Sequence, residues 1–285
     1  NVALQSHYQQ VMGRLGNQEH ELLGMPSRVS PPTSERYWYV SPMTDGTPLR
    51  RHLDHRGPFG WRTVALLLHE ICVTLGFAHH GGVAHGNLEP GTVLVEPSGA
   101  IRLVRPDVAG RVVFRHEGSA TISLAALWDE PIYLAPEVLS RSAPTPADDV
   151  YSLGVLAFVL LTGRLPYSSP SEVLSRAQSR RSAPDPGEIV QGVPPALRRL
   201  VRSMMAPRAA IRTPSAAELR KAIREQVLPD MGPNDGRSDL IAAMRARITG
   251  SNAPHTPAPP PSAPEEQVLA SSSEALIDTA LHSAG

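Results

Sequence analysis

The sequence predicts an α+β fold, mainly helical, followed by a disordered C-terminal tail. Nearly every residue from 153 to 161 is apolar, and a helix that is apolar all round must be surrounded by protein or by lipid. This run is too short to span a bilayer, which indicates a buried core helix. Two short apolar runs at 93–95 and 101–104 flank a Pro-Ser-Gly turn, a pattern typical of a β-hairpin. Six prolines in the twelve positions 253–264 exclude a packed core there.

The elements before the hairpin follow from apolar spacing. Residues 2–15 carry an apolar stripe at helical intervals, which predicts a helix that ends before the prolines at 26, 31 and 32. Residues 36–40 are aromatic and β-branched, which predicts a short strand, and 41–48 are rich in turn residues. A long helix is expected at 61–79, where apolar residues recur on one side.

The elements after the hairpin are helices. The apolar run belongs to a helix at 149–163, which Gly163 and Pro166 end. Amphipathic spacing predicts further helices at 171–179, 195–205 and 215–227, the last with Ser215 as its N-cap and Glu218 three residues on. Short helices are possible at 238–248 and 273–281, but isolated helices of this length are marginal in water. We therefore expect a tail that is mostly disordered.

Composition excludes several classes of protein. The chain has 285 residues and a formal net charge of zero. This charge balance predicts neither a nucleic-acid-binding face nor a polybasic membrane surface. The single cysteine, Cys72, forms no internal disulfide and lies in an apolar helix, which indicates a buried thiol. No segment is expected to span a membrane and no signal peptide opens the chain, which predicts a cytoplasmic location. The first residue is Asn, so we expect the native start to lie upstream.

Four motifs occur in order along the chain. Residues 85–90 read His-Gly-Asn-Leu-Glu-Pro before an apolar strand, 135–137 read Ala-Pro-Glu, 149–154 read Asp-Val-Tyr-Ser-Leu-Gly, and 211–219 read Ile-Arg-Thr-Pro-Ser-Ala-Ala-Glu-Leu. Their order resembles the catalytic loop, the Ala-Pro-Glu segment, the central helix and the closing helix of the protein kinase family. The resemblance implies a protein-kinase-like domain at 1–227, with a partial N-lobe at 1–40 and a C-lobe at 41–227. The Pro/Ala/Ser-rich tail is then 228–285.

The resemblance assigns a position to each group that phosphoryl transfer requires. Transfer needs an Asp that orients the acceptor hydroxyl, metal ligands, and cations near the phosphates. Asn87 stands at the catalytic Asp position and cannot accept a proton. Glu89 reverses the charge of the Lys that normally follows. Thr92 replaces the metal-binding Asn, and Arg105 falls at the position of the metal-binding Asp, where a cation would repel Mg²⁺.

Asp107 leaves an alternative open. It could serve as the metal ligand if the chain carried a two-residue bulge after the hairpin. The strand at 101–104 fixes the register by burying alternate residues, so this slip would have a structural cost. In this alternative the chain is an active or residually active serine/threonine protein kinase that binds ATP and Mg²⁺.

The structural members of the family pattern are present. The resemblance implies that His85 packs beneath the loop, that Asp149 holds the loop backbone, and that Glu137 pairs with Arg212. Breaking a buried pair from one side costs several kcal/mol, whereas catalytic groups contribute little to stability. A fold that keeps the first set and loses the second is typical of one retained for binding.

We therefore expect a catalytically inactive protein-kinase-like domain, a pseudokinase, that acts as a regulatory or protein-binding module in signalling. Its expected partner is a protein, such as an active kinase or another signalling protein, and not nucleic acid. No cofactor and no metal are expected. A second alternative is a scaffold that presents the Pro-rich tail.

Overall fold

The structure is a computed structural model that describes residues 39–231, apart from gaps at 107–130, 141–143 and 213–214. It also describes positions 9, 11, 13, 23–24 and 27–29 near the N-terminus and positions 241, 242 and 244. Asp107, most of the predicted helix at 2–15, and the Pro-rich segment at 253–264 lie outside the described residues. Of the helix at 2–15, the described positions 9, 11 and 13 are helical.

The described part of the chain is mainly helical. Its α-helices are α1 (Leu49–Arg56), α2 (Trp61–His80), α3 (Pro146–Thr162), α4 (Pro170–Gln178), α5 (Pro195–Met204) and α6 (Ala216–Gln226). Single 3-10 turns lie at Pro131–Tyr133, Val138–Ser140, Pro186–Glu188, Ala209–Ile211 and Leu228–Met231.

Short strands form two small sheets. The strands are β1 (Leu23–Gly24), β2 (Arg28–Val29), β3 (Tyr39–Val40), β4 (Thr47–Pro48), β5 (Val93–Val95) and β6 (Ile101–Val104). The larger sheet has the order β1-β6-β5-β4, in which only the β1–β6 pairing is parallel. Strands β2 and β3 form a separate antiparallel pair. Val93 lies opposite Leu103 in the β5–β6 hairpin, and this pairing sets where the chain leaves β6 toward Arg105.

Helix α3 forms the centre of the core. All of its residues from Asp148 to Thr162 are buried. The helix starts three residues earlier than predicted because Pro146 occupies its first turn and Asp148 accepts a hydrogen bond from the Thr145 N–H at 2.7 Å. Proline is favoured at the first helical position, where its missing N–H has no helical partner to lose. Gly163, with φ 69°, ends the helix in a left-handed cap.

Helix α2 packs against α3 and α6. Among the described helices it is the one that is long and apolar enough, by length and composition, to cross a membrane, a criterion that no segment was expected to meet. Nine of its ten buried side chains belong to the same core as α3, so its apolar side faces protein. Cys72 is one of them, and burial raises the pKa of its thiol to about 12.

The predicted α+β fold is confirmed, including the mainly helical larger part. The helices and the hairpin at 61–227 lie within three residues of their predicted limits. Helix α1 was not predicted, because only Leu49 and Leu53 among its eight residues are large and apolar. The strands β1, β2 and β4 were missed as well, because two residues are too few to show the alternating apolar pattern of a strand.

Residues beyond the predicted domain boundary at 227 also contribute to the core. The chain divides into two units, residues 1–251 and 252–285, and every described residue belongs to the first. Leu228 packs on the main core, and Met244, which is helical, is 2% exposed within it. At these positions the expected disordered tail is instead packed on the domain.

Candidate functional site

Asp149 holds the segment at 85–92, which we call the loop, by hydrogen bonds to its backbone. The Asp149 carboxylate is 1% exposed and accepts the backbone N–H groups of His85 and Gly86, each at 2.7 Å. His79 Nε2, from the last turn of α2, donates to the same carboxylate at 2.8 Å. The first two bonds fix the loop backbone to the start of α3, and the third fixes the end of α2 to the same carboxylate.

His85 is a structural residue of this loop. Its ring is buried, and its Nδ1 accepts the N–H of Asn87 at 3.3 Å. Burial lowers the pKa of His85 to about 4, although the Asp149 charge opposes that shift. The imidazole is therefore neutral at physiological pH and holds the turn that presents Asn87.

Glu89 lies at the centre of a cluster of ion pairs. Arg105 Nη2 donates to its Oε1 at 3.0 Å, and Arg50 Nη2, from α1, donates to its Oε2 at 3.2 Å. The N–H of Gly91 donates to the same Oε2 at 2.6 Å. The Glu89 side chain is only 8% exposed, so this buried carboxylate is stabilised by two guanidinium groups and one amide.

The backbone of Arg105 is held in an unusual conformation. Its φ is 54°, in the left-handed region that few non-glycine residues adopt. Asn87 Nδ2 donates to the Arg105 carbonyl at 3.0 Å, while the Arg105 guanidinium reaches Glu89. A Cβ on Gly91 would lie 2.7 Å from Glu89 Oε1 and 3.2 Å from Arg105 Nη2. The absence of a side chain at Gly91 therefore makes room for the ion pair between Glu89 and Arg105.

The Thr92 hydroxyl is turned into the loop. The side chain is fully buried, with Oγ1 donating to the Asn87 carbonyl at 2.8 Å and accepting the Glu89 N–H at 3.0 Å. Its oxygen therefore ties the loop together and does not point toward a ligand.

This set of groups does not fit Mg²⁺, the ion that a kinase-like site implies. Magnesium prefers an octahedron of oxygens supplied by carboxylates, phosphates and water. Here a guanidinium stands at one ligand position and a buried hydroxyl at the other, and the adjacent carboxylate of Glu89 is bound to Arg50 and Arg105. Across the described residues, no three His, Cys, Asp or Glu side chains gather as a metal site.

A second ion pair joins Glu137 to the buried Arg212. Arg212 Nη2 donates to Glu137 Oε2 at 2.6 Å, and its Nη1 lies 3.6 Å from Asp148 Oδ1. Burial alone would raise the pKa of Glu137, but the hydrogen bond and charge of Arg212 hold that pKa below its ordinary value. Burial, and then a hydrogen bond with Glu137, raise the pKa of Asp148 to about 6.

The structure thus brings together Asn87, Glu89, Thr92 and Arg105 in one site, with His85 and Asp149 beneath it. Sequence reasoning missed two contributors to the site. Arg50 carried no signal because α1 itself was not predicted. His79 was not named as a site residue, although its place six residues before His85 puts it at the end of α2, where it contacts Asp149.

The comparisons with known proteins identify the family of the chain. The family model described as "Protein kinase domain" matches residues 26–222, well over half of the chain. The chain therefore belongs to the protein kinase family.

Its relatives are bacterial serine/threonine-protein kinases. The chain is 29% identical to PknK of Mycobacterium bovis over 266 residues, which is 88% of this chain and 23% of that protein. It is 32% identical to PknL of Mycobacterium tuberculosis over 74% of this chain and 54% of that protein. It is 26% identical to PknB of Mycolicibacterium smegmatis over 86% of this chain and 40% of that protein. The chain thus spans between about a quarter and about half of the length of these relatives.

Proposed function

We propose that this protein kinase domain is catalytically inactive and acts in the cytoplasm as a protein-binding or regulatory module in signalling. The observation that carries the proposal is the ion pair between Glu89 and Arg105. These residues stand where an active kinase has a cation near the phosphates and a metal-binding carboxylate. Their charges are exchanged and they neutralise each other.

The exchange removes two requirements of transfer at once. A metal ion at the Arg105 position would meet a cation, and a phosphate beside Glu89 would meet an anion. Asn87 adds a third loss, because an amide cannot take the proton of an acceptor hydroxyl. The remaining role for a stable kinase fold is the binding of other proteins, and the partner we propose is an active kinase or another signalling protein.

The competing function is an active serine/threonine kinase. It is favoured by the names of the relatives, each of which is a serine/threonine-protein kinase. It requires Asp107 to supply the metal-binding carboxylate in place of Arg105. It also requires transfer to proceed with Asn87 and Glu89 in place. The role of Asp107 is therefore the point at which an experiment can separate the two functions.

Transfer of labelled γ-phosphate from ATP, with the intact protein and generic protein substrates, tests the choice. We expect no incorporation above a blank without protein, into the protein or into the substrates. The matched variants are Asp107→Ala and Asp230→Ala, the second of which removes an exposed carboxylate outside the site. Incorporation that persists in Asp230→Ala and disappears in Asp107→Ala would establish the active kinase and overturn our proposal.

A further inference from the structure

The outer face of α5 carries three neighbouring arginines. Arg202 lies four residues after Arg198 and three after Arg199, and residues at these spacings are neighbours on the surface of a helix. The side chains of Arg198 and Arg202 are 36% and 44% exposed, and Arg199 is exposed as well. The opposite face is buried in the core and consists of Leu197, Leu200, Val201 and Met204. Helix α5 therefore presents a cationic face to solvent.

Of these arginines, Arg198 is the one that is hydrogen-bonded to a carboxylate within the described part of the chain. Its Nε and Nη2 donate to the two oxygens of Asp185 at 2.8 and 2.7 Å. These bonds hold the pKa of Asp185 below its ordinary value, so this carboxylate is charged at neutral pH. Arg202 Nη1 lies 4.0 Å from the same carboxylate, and Arg199 has no ion pair among the described residues. Both therefore have N–H groups available for a further acceptor.

The turn that contains Asp185 places an exposed apolar side chain beside this face. Asp185 caps the 3-10 turn Pro186–Glu188 by accepting the Gly187 N–H at 2.8 Å. A Cβ on Gly187 would collide with the guanidinium of Arg198, which therefore lies directly over the turn. Ile189 follows the turn and is 44% exposed. Arg198 thus fixes the turn on α5, and Ile189 is held at its end before any partner binds.

The chemistry of this face fits an acidic segment of protein. A guanidinium group can donate two parallel hydrogen bonds to a carboxylate, and arginine is enriched in protein interfaces. A continuous phosphate backbone would meet the carboxylates of Asp185 and Glu188 beside the arginines and would be repelled by them. A protein segment carries its charges at intervals and can place an apolar side chain against Ile189.

We propose that Arg199, Arg202 and Ile189 form a docking face for an acidic segment of a partner protein. Carboxylates of the segment bind the two arginines, and an apolar side chain of the segment packs on Ile189. The inference builds on the proposed function, in which this domain binds other proteins. The docking face lies outside the loop at 85–92 and outside all four motifs, so binding there does not depend on whether the domain transfers phosphate.

Fluorescence anisotropy of a labelled synthetic peptide tests the docking face on the intact protein. The probe is a peptide of three Glu-Glu-Leu-Glu repeats, and the matched neutral probe has three Gln-Gln-Leu-Gln repeats. We expect saturable binding of the acidic peptide and at least tenfold weaker binding of the neutral one. Absence of saturable binding of the acidic peptide, or equal binding of the two peptides, would overturn the proposal.

Variants locate the binding on α5. The double variant Arg199→Gln, Arg202→Gln should weaken binding of the acidic peptide at least tenfold, and Ile189→Ser should weaken it several-fold. The matched control is Arg51→Gln, Arg62→Gln, which removes two exposed arginines from α1 and α2 and should leave the affinity unchanged. Equal losses in the two double variants would show a response to net charge alone and would contradict the docking face.

Exchange of the charges separates a lost contact from a lost fold. The double variant Arg199→Glu, Arg202→Glu should no longer bind the acidic peptide and should bind a peptide of three Lys-Lys-Leu-Lys repeats more tightly than the wild-type protein does. A variant that binds neither peptide, although circular dichroism shows it to be folded, would count against the docking face.

A single-stranded oligothymidylate added as competitor distinguishes the class of partner. We expect it to leave the acidic peptide bound, whereas displacement of the peptide would assign the face to nucleic acid and refute the proposal. Peptide binding and phosphate transfer are measured separately. A failure of the docking face therefore leaves the test of the proposed function intact, and the reverse also holds.

Discussion

Arg212 has the most complete set of partners among the residues of the family pattern. Its side chain is fully buried, its Nε donates to the Ala206 carbonyl at 2.7 Å, and its guanidinium lies 5.0 Å from the ring centre of Tyr151. Glu137 supplies the carboxylate that compensates the charge. A buried guanidinium without such a partner is strongly destabilising.

Replacing Glu137 should therefore damage folding. Glu137→Ala leaves Arg212 with Asp148 as its nearest carboxylate, and we expect a loss of about 3–5 kcal/mol in the free energy of unfolding. Stabilities of domains are about 5–15 kcal/mol, so a strongly lowered midpoint in urea should result. Asn87→Ala is the control, because it removes one exposed hydrogen bond to Arg105 and should cost about 1 kcal/mol or less. Equal midpoints for the two variants would contradict this account of Glu137.

The sequence predicted the positions of the structural residues only where they belong to a motif. Glu137, Asp149 and Arg212 each lie within one of the four motifs, so their positions could be named in advance. The pairing of Glu89 with Arg105 was not predicted, although both charge reversals were. Each residue was compared separately with the family residue that it replaces, and only the structure shows that the two side chains are in contact.

At the scale of elements, the close approach of α3 and α5 depends on Gly154. A Cβ on Gly154 would lie 2.8 Å from both Met204 Cβ and Met205 Cγ. The two helices can therefore pack this closely only because residue 154 has no side chain. Buried surfaces of this kind tolerate added atoms poorly.

Adding a methyl group at this contact should destabilise the domain. Alanine favours a helix over glycine by about 1 kcal/mol, but overpacking costs about 1–3 kcal/mol, so Gly154→Ala should lower the unfolding free energy. Gly76→Ala in α2 is the matched control, because among the described residues no heavy atom outside the neighbouring helix backbone lies within 4 Å of its added Cβ. It should raise stability by about 0.5–1 kcal/mol. Thermal melts of both variants check the opposite signs, and a stabilised Gly154→Ala would show that the helices separate at no cost.

The long periodic elements and the β5–β6 hairpin could be predicted, whereas most of the two-residue strands could not. Helices α2 to α6 have apolar patterns over at least nine residues, and this length is enough to fix type and position. Strands β1 to β4 are two residues long, and their pairing depends on chain that is distant in sequence. Their existence is therefore a property of the tertiary fold.

At the scale of the whole molecule, the core is that of a protein kinase, and the proposed function assigns the residues of the loop at 85–92 and Arg105 a role other than catalysis. The helices around α3 and the tether from Asp149 to the loop form one buried framework. The loop on this framework carries an ion pair between positions 89 and 105, which the proposed function takes as the reason that metal is excluded. Stability and the proposed loss of catalysis are compatible because the two depend on different residues.

The most direct test of metal exclusion is the effect of Mg²⁺ on the melting temperature of the intact protein in millimolar ATP. A ligand that binds only the native state at a hundred times its Kd stabilises it by about 2.7 kcal/mol, which would raise the Tm by about 5–10 °C. Our account predicts that Mg²⁺ gives no increase over ATP in EDTA, because Arg105 repels the ion. A clear increase with Mg·ATP that ATP alone does not produce would contradict it and would place a metal-binding carboxylate in the cleft.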